Sequence, residues 1–122
     1  MNKLEYIRFL NGDIVYIHGS VRVISSCDGY YSTYYDEDET LQEVNVNVIE
    51  GIPLTTDILE KNGWEHKDDV YFKEYPNRKL VIMDGKAYII NESCSLFLCP
   101  VKFISQLQHL LFGLGLNSEM EV

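Results

Sequence analysis

Asp84-Gly85 stands between two apolar runs, "KLVIM" and "KAYII", and no feature of the chain limits its fold more. Such a pair accepts the positive φ angles of a two-residue turn, so the flanking runs read as strands of one hairpin. The same punctuation recurs earlier. Asn11-Gly12 lies between apolar stretches, and His18-Gly19-Ser20 separates "DIVYI" from "VRVIS". "YYSTYY" is β-favouring with tyrosines on both parities. "VNVNVI" reads as the clearest strand, with Val44, Val46 and Val48 on one side and Asn45 and Asn47 on the other. Four or five short strands in about 50 residues suggest a small, strongly bent sheet or open barrel.

The pattern changes at "IPLTTDILEKNGW". Pro53 interrupts the alternation, Thr55 is a good N-cap, and Asp57 suits the positive end of a helix dipole. Leu54 and Leu59 have the spacing of a hydrophobic staple. Gly63 followed by Trp64 has the form of a Schellman cap, so a helix of about two turns is pinned at both ends. "VYFKEY", the Asp84-Gly85 hairpin and "CSLFLCPV" follow as strands, and "WEHKDD" reads as an exposed turn. A last helix is expected from about Val101 to Leu114, and "SEMEV" as a final short strand. At 100° per residue that helix puts Phe103, Ile104, Leu107, Leu110, Leu111 and Leu114 on one face. Ser105 and His109 fall on the opposite face, and Gln106 and Gln108 flank the apolar stripe. Gly115 is placed as the residue after the C-cap, with Leu116 folding back on Leu111.

At 122 residues and 46% hydrophobic, the chain can bury a core as one domain or as two small modules. Its net charge is −9, and Val23 to Glu60 contains no Lys or Arg. A phosphate backbone needs clustered cations, so direct nucleic-acid binding is not expected. No apolar segment suits a signal peptide or approaches the roughly 20 residues of a membrane span. Cys27, Cys94 and Cys99 are few and odd in number, which fits reduced thiols in a cytoplasm.

"GYYSTYYDEDET" is the one stretch with the composition of a contact surface. Tyr31, Tyr34 and Tyr35 supply large rigid area, and Asp36, Glu37, Asp38 and Glu39 supply charge for a basic partner. The plainer reading is an edge hairpin with a solvated tip. Phe112, on the polar side of the last helix, is a second candidate contact. No metal is expected. The acidic run lacks the spacing of a calcium loop, and Cys94 and Cys99 fall on opposite sides of one strand as small buried residues. No catalytic residue is assigned either: neither "GxSxG" nor a glycine-rich phosphate loop is present. His66 has acids nearby in sequence that could orient a base.

"GIPLTTDILEKNGWE" followed by "VKFISQLQHLLFGLGL" resembles a family of small proteins encoded by Bacteroides-type gut bacteria, their phages and mobile elements. A strand-rich start similar to "GDIVYIHGSVRVI" leads there into "LTxxILxKxGF", with a closing helix similar to "VxxLQxLxxxxG". The middle, from Val70 to Leu98, matches only in rhythm; Trp64 stands where that family often has phenylalanine. The resemblance implies a cytoplasmic accessory protein of a mobile element. It implies no activity, cofactor or catalytic residue.

The expected fold is therefore α+β. A small SH3-like β-barrel or bent sheet, residues 1–52, is packed beside a helix, three-strand meander and helix unit, residues 53–122. The expected function is non-enzymatic docking on a protein partner, with no cofactor and no membrane. One alternative is an acidic mimic of nucleic acid that inhibits a DNA- or RNA-binding enzyme; another is a small enzyme.

Overall fold

His18 and Gly19 take φ angles of 51° and 79°, the left-handed pair that reverses a chain in two residues. In the computed structural model, which describes residues 9–122, this turn joins β1 (Ile14–Ile17) to β2 (Ser20–Cys27), with Ile17 opposite Ser20. The segment "MNKLEYIR", part of the signal-peptide reading, lies outside the described residues. β3 (Tyr31–Tyr35), β4 (Leu41–Asn45) and β5 (Ile49–Gly51) complete an antiparallel sheet ordered β4-β3-β2-β1-β5. β4 and β5 are its edges, so the sheet is not a closed barrel. Asn11-Gly12 forms a turn ahead of it. The buried Asp13 holds that turn, donating its N–H to the Leu10 carbonyl at 3.0 Å and accepting the Leu10 N–H at 2.7 Å.

"VNVNVI" is not one strand. β4 ends at Asn45, a 3-10 turn covers Val46–Val48, and β5 begins at Ile49. The cause is local: the Asn45 side chain accepts the Asn47 N–H at 2.9 Å, a bond that competes with a sheet ladder. The valines nevertheless serve one core. Val46 is buried with Val15, Ile17, Ile24, Tyr34 and Ile49, and Val44 and Val48 pack against that cluster.

The second unit begins with α1 (Thr56–Lys61), and both of its ends follow the expected chemistry. The Thr55 hydroxyl accepts the Ile58 N–H. The Gly63 and Trp64 N–H groups donate to the carbonyls of Glu60 and Leu59, with Gly63 at φ 86°. Leu59 and Trp64 both join the core, so the cap aims its aromatic inward. β6 (Glu65–Lys67), β7 (Val70–Tyr75), β8 (Arg78–Met83), β9 (Lys86–Ile90) and β10 (Ser95–Pro100) then form a meander ordered β10-β9-β8-β7-β6. The sheet has five strands. The expected unit is a three-strand meander, although four strands are read along the chain, and the edge not read as a strand at all is "EHK", taken as a turn: all three residues are exposed and lack apolar alternation, so only pairing with β7 defines it. Asp84 and Gly85, at φ 54° and 70°, make the expected tight turn between β8 and β9.

Cys94 departs from expectation too. It precedes β10 in an exposed turn, where the Asn91 side chain accepts the N–H groups of Ser93 and Cys94. A register shift between Phe97 and Cys99 also breaks the simple parity of β10. α2 (Ile104–Gly113) starts later than expected, because Gln106 Oε1 accepts the N–H groups of Lys102 and Phe103 and sets the first turn there. Ile104, Leu107 and Leu111 are buried as the projection requires, but so are Ser105, placed on the opposite face, and Gln108, placed at the edge of the stripe. Gly115 and Leu116 close the helix on Phe112 and Leu111. "SEMEV" forms no strand.

The architecture is α+β, dominated by two antiparallel five-stranded sheets. The chain divides into two compact units, Met1–Ile52 and Pro53–Val122. No helix among the described residues is long and apolar enough to cross a membrane.

Candidate interaction surface

The β3–β4 hairpin sorts the tyrosines by strand parity. Tyr34 turns inward: it is 8% exposed, belongs to the first core, and carries the Arg22 guanidinium 5.3 Å from its ring centre. As a contact residue it is a correction to the sequence reading. Tyr31 and Tyr35 point outward, 49% and 59% exposed. Tyr35 lies opposite Leu41, itself 53% exposed, and Tyr31 lies opposite Asn45. On β2 the inward residue is Ile24, which leaves Val21 and Val23 exposed on the outer side. The outer face of this sheet is thus rich in large apolar and aromatic groups, while its inner face is a packed core.

The four acids at the hairpin tip are not equivalent. Asp36 builds the turn. Its carboxylate accepts the N–H groups of Asp38 and Thr40 and the Gln42 amide, each at 2.9 Å. The Thr40 N–H foremost, and then the Gln42 amide, hold the Asp36 carboxyl below its ordinary value. Glu37 pairs with Arg22 at 2.6 Å, and its carboxyl also lies below the usual range, first through its own backbone N–H and then through Arg22. Asp38 and Glu39 are exposed, and Glu39 takes a φ of 60°. Asp36 therefore holds the turn, Glu37 pairs with Arg22 while remaining exposed, and Asp38 and Glu39 face solvent. At the other end of β3, Asp28 accepts the N–H groups of Tyr30 and Tyr31, which lowers its carboxyl and sets the start of the strand. Phe112 stands on α2 in the second unit and is 78% exposed.

The remaining sequence candidates lie apart from this hairpin. Among the described residues, no three of His, Cys, Asp or Glu come together. His66 meets an acid, but Glu60 from α1 at 3.6 Å rather than its sequence neighbours in "WEHKDD". Its ring stacks on Tyr71 at 5.2 Å, and the Tyr71 hydroxyl shares a hydrogen bond with Thr56. Burial raises the Cys99 thiol. An open cleft of about 580 Å³ lies between the β7–β8 and β9–β10 turns, where Arg78 and Lys79 sit with Glu74 and Glu92; Lys79 is paired with Glu74 at 3.5 Å. Sequence reasoning missed this cleft, because Pro76-Asn77 and the Asn91 turn signal hairpins without showing that two hairpin ends share one side of the sheet.

Comparison of the chain with protein-family models, with curated proteins and with solved structures returns no match.

Proposed function

We propose that the protein is a non-enzymatic interaction protein that docks on a protein partner through the outer face of its first sheet. The observation that carries this reading is the outward cross-strand pair of Tyr35 and Leu41, together with Tyr31, on a sheet whose other face is already filled. Large apolar groups left in water on a rigid sheet are the composition of a docking patch, and Asp38 and Glu39 beside them favour a partner with basic residues at its rim. We read the first unit as an SH3-like module. In support, β1 to β4 run as a meander, a 3-10 turn precedes the fifth strand, and that strand pairs back onto the first. The three cysteines are free thiols, which suits a reducing cytoplasm.

The test is affinity capture at low and high salt with the full chain and with a Tyr31→Ser/Tyr35→Ser variant. Docking through this face predicts a partner that the wild type holds at high salt and the variant loses, while the variant's melting temperature stays within a few degrees. Binding that collapses with salt and is displaced by DNA would instead identify the acidic tip as a nucleic-acid mimic. Equal capture by wild type and variant would remove the tyrosine face from the reading.

A further inference from the structure

Asn62 is the C-cap of α1, and its side chain reaches the far end of the chain. Its Nδ2 donates to the Glu121 carbonyl at 2.9 Å, and its Oδ1 accepts the Glu121 N–H at 2.8 Å. One carboxamide thus satisfies both backbone groups of one residue, as a neighbouring strand would, without reading its side chain. The amide is held for this work: Nδ2 also donates to the Ile58 carbonyl, and Lys73 Nζ donates to the Asn62 carbonyl at 2.8 Å. Immediately before Glu121, Met120 packs against the second core. Beside it is a cavity of about 100 Å³, bordered by Asn62, Trp64, Lys73, Tyr75 and Leu111 and, from the segment itself, by Asn117, Glu119 and Met120.

The segment from Asn117 onward has no regular secondary structure, Leu116 anchors its start through the helix cap, and Met120 packs on the second core beside unfilled volume. The seat is chemically defined: a carboxamide clamp on an extended backbone, an apolar floor of Trp64 and Leu111, and a cation at Lys73. The segment matches it as acid–apolar–acid, Glu119-Met120-Glu121.

We propose that this slot is a docking site for an extended peptide segment of a partner protein, with a large apolar residue flanked by acids, and that residues 117–122 occupy it as an internal ligand. A partner segment with a bulkier residue at the Met120 position fills the remaining volume and displaces the internal one. The site lies wholly within the second unit and does not depend on the tyrosine face proposed above. Tyr31→Ser/Tyr35→Ser leaves it unchanged, so the two readings fail separately.

Trp64 is the only tryptophan and borders the slot, so its emission reports occupancy. The experiment uses the full chain carrying Met120→Ser and Glu121→Pro, which removes the apolar contact and the N–H donor but leaves the lining intact. The probes are a capped peptide of residues 116–122 and its Met120→Phe form. The expected result is a saturable change in Trp64 emission below about 5 mM peptide, the range a short linker supplies as effective concentration. The Phe peptide binds several-fold tighter than the Met peptide. The wild-type chain needs at least about tenfold more peptide, because its own segment competes. Asn62→Ala in the released chain abolishes the response.

No saturable change in the folded released chain, equal response in wild type and released chain, or indifference to Asn62→Ala would each overturn the proposal. If the released chain does not fold, hydrogen exchange on the wild type decides. Excess Phe peptide must speed exchange of the Glu121 N–H by exposing it, and an unchanged rate overturns the proposal.

Discussion

Tyr34 and Tyr35 are adjacent and identical in chemistry, yet the sheet gives them opposite roles. Tyr34 is buried beneath the Arg22 guanidinium, and Tyr35 stands in solvent beside Leu41. Tyr34→Ser leaves a cavity in a small core and should cost about 3 kcal/mol in chemical denaturation. Tyr35→Ser should change stability by no more than about 0.5 kcal/mol. Asp36 makes a prediction in pH. Its carboxyl is lowered in the folded chain, foremost by the Thr40 N–H, so its contribution is complete above the unfolded value, about 4. That contribution is lost as pH falls through the lower, folded value. The amide resonances of Asp38 and Thr40 should therefore hold steady down to about pH 4 and shift only below it, and Asp36→Asn should remove that transition. A shift centred at or above the ordinary aspartate value would show that the turn does not depend on the charged form.

Both helices end on the same device. Gly63 and Gly115 lie at φ 86° and 72°, each followed by an apolar residue whose N–H returns to the helix. A Cβ at Gly115 meets nothing within 4 Å, and at Gly63 the nearest atom is Lys73 Nζ at 3.5 Å, an ordinary contact. Gly→Ala at either position therefore reports backbone strain alone, and each should cost about 1–2 kcal/mol by denaturant titration. A much larger loss at Gly63 would mean that the cap also sets the position of Trp64. These caps were legible in sequence because they rest on residue types at fixed offsets. β6 was not. Its three exposed residues carry no apolar period, and only the partner β7 makes them a strand.

Across the whole molecule, two separate core clusters carry the fold: one around Val15, Ile17 and Ile24, the other around Leu80, Leu107 and Leu111. Ile17→Ala and Leu107→Ala each remove a side chain that is at most 1% exposed, and each should cost about 2–5 kcal/mol. Amide exchange should rise most within Met1–Ile52 for the first and within Pro53–Val122 for the second, because each substitution opens its own cluster. Uniform acceleration across the chain in both variants would show that the two cores open as a single cooperative unit.

By itself, the sequence determined the reversals and the stops. His18-Gly19, Asp84-Gly85, Thr55, Gly63 and Gly115 act through φ preferences and hydrogen bonds within a few residues, so their effect is local and readable. It also marked "YYSTYYDEDET" as the hairpin with surface character. The tertiary structure decided which members of that hairpin are surface. Burial of Tyr34 depends on β2 and the 3-10 turn, and Asp36 became a turn residue only when Thr40, and Gln42 on β4, came back across to it. It also drew Ser105 and Gln108 out of solvent and brought Glu121 to Asn62, 59 residues earlier. Contacts over such separations depend on where whole elements lie, and the energy that sets those positions is the shared burial of their apolar faces.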